Sequence, residues 1–238
     1  MRPHQNCCVA NGPRGLMLVP QLAVMRGAAG PVVNYYGAMR SLVPLPAGGN
    51  VDLEQDSDYP LGGSIRIRIG LDTPRTFALR LRIPAWSERN ALSINGASQA
   101  APATGAYASL DRTWHDGDLV VLQLDMRPRV VRAPGHPEYA AIERGPLVLA
   151  RDARLERGSD VNAPVALKTT GDGRVEGMLA ESPASTGIWQ IFDVPMGKDA
   201  APLRLCDFAS SGNTWDSRST YRVWMPLAQL KARVAQSP

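Results

Sequence analysis

Ser64-Ile65-Arg66-Ile67-Arg68-Ile69 is the stretch that decides the fold. Isoleucine and arginine alternate, so an extended chain puts Ile65, Ile67 and Ile69 on one face and Arg66 and Arg68 on the other. A helix would scatter the same residues around its axis. The segment reads as a strand with one buried face and one wet face. Phe77 to Ile83 repeats the pattern, with Phe77, Leu79, Leu81 and Ile83 inward and Arg80 and Arg82 outward.

The neighbouring segments extend the β reading. Leu92 to Ile94 runs into Asn95-Gly96, a dipeptide that favours a type I′ hairpin because both residues tolerate positive φ. Asp116-Gly117-Asp118 forms a turn before the alternating run Leu119 to Leu124, and Pro128 closes that run ahead of Val130 and Val131. Ala140 to Ile142 and Leu147 to Ala150 flank a Gly145-Pro146 turn. Ala153 to Asp172 is polar and loop-like, and strands resume at Trp189 to Val194, Leu203 to Cys206 and Tyr221 to Met225.

Helical signals are confined to the two ends. Pro13 to Met25 carries Leu16, Met17, Val19, Leu22, Val24 and Met25, and it predicts a short helix broken at Pro20, where the missing N–H removes a bond. Leu227 to Ala235 predicts a brief terminal helix. No repeat of fixed period appears. The expected class is mainly β: one or two antiparallel β-sandwich, jelly-roll-like domains preceded by a short helical segment.

Composition narrows the function classes. Hydrophobic residues are 44% and charged residues 20% of the 238, the balance of a chain with a real core. The net charge is only +4, and Arg66, Arg68, Arg80, Arg82, Arg127, Arg129 and Arg132 are spread over strand faces rather than gathered in a stripe. With aromatics at 6%, nucleic-acid binding is not expected. No apolar run approaches the roughly 20 residues that span a bilayer, and no signal peptide opens the chain. No membrane contact is expected, and both cytoplasm and periplasm stay open as locations.

Three cysteines, Cys7, Cys8 and Cys206, do not make a disulfide framework. The adjacent pair Cys7-Cys8 is the most reactive-looking feature, and reduced thiols or a metal site suit it better than a bridge. On residues alone, such a pair is more often a small buried hydrophobe than a site. His4 belongs to an N-terminal leader, His115 to a surface turn and His136 to a loop. Asp116 and Asp118 lack the ligand series of a calcium loop and read as turn residues. Trp86, Trp114, Trp189, Trp215 and Trp224 read as core or interface anchors before sugar platforms. Cys206, inside an apolar strand, reads as a buried inert thiol.

Six stretches, in order, resemble one family: CCVANGPRGL from Cys7, FALRLRIPAWS from Phe77, LSINGA from Leu92, YASLDRTWHDGDLVVLQL from Tyr107, ERGPLVLARD from Glu143 and LCDFASSGNTWDSRSTYRVWMP from Leu205. Together they resemble the C-terminal portion of the β-L-arabinofuranosidases of glycoside hydrolase family 127. That family couples an (α/α)6 barrel to β-sandwich domains. The resemblance implies the end of the barrel over residues 1–26, a first sandwich over 27–127 and a second over 128–238.

The resemblance also implies a chemistry. Cys7 corresponds to the nucleophile, and Cys7 and Cys8 to zinc ligands, with the remaining ligands and the acid/base glutamate expected upstream of Met1. Zinc is then expected in the complete enzyme and absent or weakly bound here. The substrate would be an arabinofuranoside or other plant-type glycoside, the structural partner the missing helical barrel, and homo-oligomerisation stays open. This chain alone would be inactive. The alternative is a non-catalytic β-sandwich module that packs on a barrel or binds carbohydrate; a zinc-binding scaffold is a third reading.

Overall fold

Alternating apolar residues do become strands, and they sort into two units, residues 1–126 and 127–238. The computed structural model describes residues 6–155, 160–176, 178–180, 187–196, 201–214 and 219–228.

The first unit begins with helix α1 (Asn6–Ala23) and continues through β1 (Val24–Gly27), β2 (Gly30–Val33), β3 (Met39–Pro44), β4 (Asn50–Asp56), β5 (Ser64–Gly70), β6 (Arg75–Arg82), β7 (Ala91–Ile94), β8 (Ala97–Ser98), β9 (Tyr107–Trp114) and β10 (Leu119–Gln123). One sheet runs β1-β2-β6-β9 and the other β3-β4-β5-β10-β7-β8. All pairings in them are antiparallel except β2 with β6. Val33, Leu79, Leu81 and Trp114 from the first sheet meet Leu53, Ile65, Ile67, Ile69, Val120 and Leu122 from the second in one core. This is a β-sandwich.

The decisive alternation holds. Ile65, Ile67 and Ile69 are fully buried while Arg66 and Arg68 face solvent. In β6, Phe77, Leu79 and Leu81 are buried, and Ile83 just beyond it joins them. Ala78, between them, is covered too, and the chain entering β2 runs close beside it, with the Ala78 N–H donating to the Ala29 carbonyl at 2.9 Å. At Gly30, with φ +141, an added Cβ would lie 2.4 Å from the Ala78 carbonyl oxygen, so only glycine permits the approach. Asn95 and Gly96 take φ values of 50 and 81, and Ile94 pairs with Ala97, as a type I′ hairpin requires.

Helix α1 differs from its prediction at both ends. It starts at Asn6, passes through Pro13 and Pro20 without a break, and ends at Ala23. Each proline removes one backbone donor, but Pro20 stands in the final turn, where little helix remains to be interrupted. Val24 and Met25 belong to β1 instead, because Val24 pairs with Val33 and Met25 with Val32.

In the second unit, β11 (Arg129–Ala133), β12 (His136–Arg144), β13 (Leu147–Asp152), β14 (Met178–Ala180), β15 (Ile191–Val194) and β16 (Leu203–Asp207) form a sheet of order β11-β12-β13-β16-β15-β14. β17 (Tyr221–Arg222) pairs with β13 and β18 (Met225–Pro226) with β12. Apolar clusters pack on both sides of this sheet. Ile142, Leu149, Phe192 and Leu205 pack with Val165 and Val175, while Ala150, Ile191 and Cys206 pack with Ile188 on the other side.

The expected terminal helix is corrected at its start. Leu227 is extended and bridges Val165, and the Leu227 N–H donates to the Glu138 carbonyl at 2.8 Å. The rest of that segment from residue 229 to 235 lies outside the described residues, as do His4 and Trp215. Among the described residues, no helix is long and apolar enough to cross a membrane.

Candidate functional site

Cys7 is the second residue of α1 and is solvent-exposed, and it forms no disulfide. Cys8 follows it in the same helix. Both stand in the first turn, where unsatisfied backbone N–H groups and the helix dipole favour negative charge.

The fit to zinc is partial. Thiolates are suitable donors, but a closed structural site needs four ligands in a tetrahedron. Among the described residues, no group of three or more His, Cys, Asp or Glu side chains is placed to hold a metal ion. The pair can supply two of the four donors of such a site.

The helix carrying the pair is unusual for its exposure. Leu16 is 73% exposed and Met17 68%, and Leu18, Val19 and Leu22 are also open to solvent, as is Met25 just beyond the helix in β1. Gly12, Pro13, Gly15 and Pro20 give it poor intrinsic propensity. Helices of such composition owe their stability to packing of an apolar face. Contiguous exposed apolar residues of this kind mark an interaction surface.

The remaining family-like stretches build scaffold, and the structure shows how. In RIPAWS, Ser87 is completely buried. Its Oγ accepts the Asp125 N–H at 2.7 Å and donates to Asn90 Oδ1 at 2.5 Å, while its carbonyl accepts from Thr104 Oγ1 at 2.7 Å. LSINGA and WHDGD interlock through one side-chain pair. Asn95 Nδ2 donates to Asp118 Oδ1 at 2.7 Å, and Asn95 Oδ1 accepts the Leu119 N–H at 2.8 Å. Asp118 Oδ2 also accepts the His115 N–H, and Asp116 Oδ1 the Leu71 N–H, both at 3.0 Å. Burial pushes the Asp118 pKa up, but these donors outweigh it and hold the carboxyl below its usual range. Both aspartates are turn residues, as expected.

In the second unit, Asp152 and Arg154 tie ERGPLVLARD to the late block. Asp152 is fully buried. Its Oδ1 accepts from Arg154 Nε at 2.8 Å, and its Oδ2 from Arg154 Nη2 at 2.8 Å and the Gly212 N–H at 2.9 Å. Arg154 also donates to the Ser210 carbonyl at 2.8 Å and Asn213 Oδ1 at 2.6 Å. Asp207 accepts the N–H groups of Gln190 at 3.0 Å and Ser210 at 2.9 Å. This buried network was not anticipated from sequence. Its only signal was the presence of aspartate and arginine at the end of an apolar run.

Cys206, His115 and Trp114 stand as the sequence suggested, while His136 lies in a strand and Trp189 and Trp224 lie outside the core. Cys206 is buried and its thiol is pushed up to about 12, chiefly by burial, so it is inert. His115 is exposed on its turn. His136 opens β12 rather than standing in a loop; it is exposed, with Nδ1 3.2 Å from Glu138 Oε1. Trp114 is fully buried and donates from Nε1 to the Phe77 carbonyl at 3.0 Å. Trp189 and Trp224 are exposed, together with Phe208 and Tyr221, whose rings meet edge to face at 5.9 Å. A groove of about 360 Å³ in the second unit, lined by Val130, Arg132, Glu138, Val165, Leu167 and Leu227, has no tryptophan in its wall.

Residues 32–126 match the family model described as "Beta-L-arabinofuranosidase, GH127 middle domain". Among solved structures, one titled "Glycoside hydrolase" is 25% identical with a TM-score of 0.72, over 95% of this chain and 40% of its own. A GH127 beta-L-arabinofuranosidase from Geobacillus stearothermophilus T6 is 20% identical with a TM-score of 0.73, over 93% of this chain and 37% of its own. A GH127 beta-arabinofuranosidase is 21% identical with a TM-score of 0.70, over 93% and 38%. The chain spans about 40% of the length of these solved relatives. No curated protein matches it.

Proposed function

We propose, from the premise that this chain resembles the C-terminal portion of the GH127 β-L-arabinofuranosidases, that it is the scaffold and nucleophile-bearing part of a retaining glycosidase acting on β-L-arabinofuranosides. Its helix α1 seats in a helical barrel that completes the active site. The observation that carries this reading is the exposed apolar surface over Leu16 to Leu22 of α1, the helix whose first turn holds Cys7.

Most retaining glycosidases employ two carboxylates, one as nucleophile and one as acid and then base. Here Cys7 takes the nucleophile's place. Its thiolate attacks the anomeric carbon as the aglycone leaves with a proton from an acid on the barrel. Water, deprotonated by the same group, then displaces the sulfur. Two inversions give net retention. Zinc, when bound, would keep thiol ligands deprotonated. Cys7 and Cys8 are the residues of this chain that would hold it, and two further donors must come from the barrel.

The test is complementation in trans. This chain is mixed with a separately expressed (α/α)6 barrel of a GH127 relative and assayed on an aryl β-L-arabinofuranoside. Hydrolysis that requires both parts and disappears with Cys7→Ala is the expected result. Zinc is measured alongside: well under one equivalent in the chain alone and close to one in the complex. Absence of hydrolysis with several barrels, despite complex formation, would overturn the reading.

A second reading, a carbohydrate-binding module, is favoured by one observation: Trp189, Phe208, Tyr221 and Trp224 are all exposed on the second unit. Aromatic faces of this kind stack on sugars or pack on protein. Titration with arabino-oligosaccharides, followed by tryptophan fluorescence, separates the two. A saturable response supports the module, and a flat one removes it.

A further inference from the structure

We infer that Asn34 and Tyr107 are positioning residues that grip the C-terminal end of α1 and so fix the direction in which it carries Cys7. This rests on Cys7 being the nucleophile. An α-helix leaves its last carbonyls without intrahelical donors, and many helices meet that need with a glycine-based C-cap. Helix α1 has none: Ala23 passes straight into β1 at Val24. Its carbonyls are met from β2's end instead. The Ala23 carbonyl accepts the N–H groups of Asn34 at 2.8 Å and Tyr35 at 3.3 Å, and the Leu22 carbonyl accepts Asn34 Nδ2 at 2.9 Å.

The gripping side chain is itself held. Tyr107, on β9, donates its hydroxyl to Asn34 Oδ1 at 2.6 Å. That bond fixes which way the amide points, so Nδ2 is committed to Leu22. The Arg80 guanidinium lies over the Tyr107 ring, 5.1 Å from its centroid, and keeps the ring in place. Strands β6 and β9 pair along their whole length, Arg80 opposite Ser109 and Arg82 opposite Tyr107. The helix end is therefore anchored, through Asn34 and Tyr107, to the rigid part of the sandwich. Ala23, at the junction, is 1% exposed, so the pivot is buried although the helix is not.

Leverage gives the grip its importance. Sixteen residues separate Cys7 from Ala23, about 24 Å at helical rise, so a tilt of about 5° at the grip moves the thiol by about 2 Å. A misplacement of about 1 Å can cost about 100-fold in rate.

The test uses three variants of the full chain: Tyr107→Phe, Asn34→Ala and Asn34→Asp. Asn34→Asp is the discriminating one, because it keeps an acceptor for the Tyr107 hydroxyl and loses the donor to Leu22. Amide hydrogen exchange is followed by mass spectrometry in peptides over residues 16–23 and over β6 and β9. Exchange over 16–23 should speed up by about 3- to 10-fold in all three variants, with β6 and β9 unchanged. Unchanged exchange over 16–23, equal acceleration across the sandwich, or wild-type α1 already exchanging as unfolded chain would each overturn the inference. In the complemented enzyme, kcat should fall by at least about 10-fold with KM nearly constant. Exchange effects without any complemented activity would reject the glycosidase reading and leave the grip standing. Activity without a kcat effect would reject the positioning role.

Discussion

Replacing Asp152 with alanine should unfold the second unit's loop network and cost about 3–5 kcal/mol, the toll of breaking a buried ion pair by deleting one partner. Its carboxylate has no exposure and accepts four hydrogen bonds: Arg154 N–H at 2.9 Å, Arg154 Nε and Nη2 at 2.8 Å each, and the Gly212 N–H at 2.9 Å. Deletion leaves the Arg154 side chain, only 13% exposed, with a charge and fewer acceptors. For a unit of this size, about 4 °C of melting temperature is lost per kcal/mol, so the second unit's transition should drop by about 12–20 °C. Differential scanning calorimetry, with Cys206 accessibility to a thiol reagent as a local probe, reads the effect. Cys206 is buried next to the network and should become reactive only in the variant.

The same carboxylate makes a pH prediction. Burial raises its pKa, but the Arg154 hydrogen bond and the N–H groups of Gly212 and Arg154 prevail, and the folded value lies below the ordinary one. A lowered folded pKa contributes stability above the unfolded value near about 4 and loses it as pH falls through the folded value. The gap between wild type and Asp152→Asn should therefore be constant from about pH 7 to 5 and shrink below about pH 4. A cost under about 1 kcal/mol for Asp152→Ala, or additivity of Asp152→Ala and Arg154→Ala without coupling, would refute a stabilising role for the pair.

Three other substitutions probe the first unit. Gln55 is 3% exposed in β4, and neither amide atom meets a hydrogen-bonding group among the described residues; Gln55→Leu should raise stability by about 1–3 kcal/mol in urea titrations. Trp114→Phe, which removes the donor to the Phe77 carbonyl and part of the core's largest side chain, should cost about 2–4 kcal/mol by the same titration. Ser87→Ala leaves the Asp125 N–H without its acceptor and should cost about 1–3 kcal/mol, an effect that Ser87→Thr cannot repair if the site is as closed as its burial indicates.

Strands with one apolar and one wet face were the clearest to read, the apolar runs that became β12, β13, β15 and β16 were also placed, and several short or polar strands were not. Ile65 to Ile69 and Phe77 to Ile83 announce themselves because one face is core and the other water. β4 hides the same alternation, since Val51 and Leu53 are followed inward by the polar Gln55. β1 and β2 are four residues each and joined by Ala28-Ala29, which carries no turn signal. β9 has Asp111, Arg112 and Thr113 in a row and is exposed along most of its length. The Pro20 break failed to appear because the helix ends three residues later for a reason outside its own sequence, the pairing of Val24 with Val33.

The candidate site was legible only as a pair of residues. Cys7 and Cys8 could be picked out, but among the described residues no group of three or more His, Cys, Asp or Glu is placed to hold a metal ion. The family-like stretches that drew attention to the pair turn out to be strands together with the corners and turns that follow them. Ser87, Asn95, Asp118, Asp152 and Asp207 hold loops by hydrogen bonds that adjacent sequence cannot announce, since their partners lie up to 60 residues away.

The second unit's sheet raises a question of register. Where one face of a strand is wet, a slip of one residue turns the apolar side outward and is rejected by water. In β15 and β16 apolar residues lie on both faces, so a slip would trade Phe192 for Ile191 and Leu205 for Cys206, hydrophobe for hydrophobe, while the Arg204–Asp193 pair marks the wet part of one face. Burial discriminates less between such alignments than it does where a whole face is wet. The contacts of Asp207 with Gln190 and Ser210 do discriminate, because they exist in one alignment only. The acids at the ends of these strands thus act as alignment marks, and their loss would show as misfolding into a mispaired sheet as much as in a lower melting point.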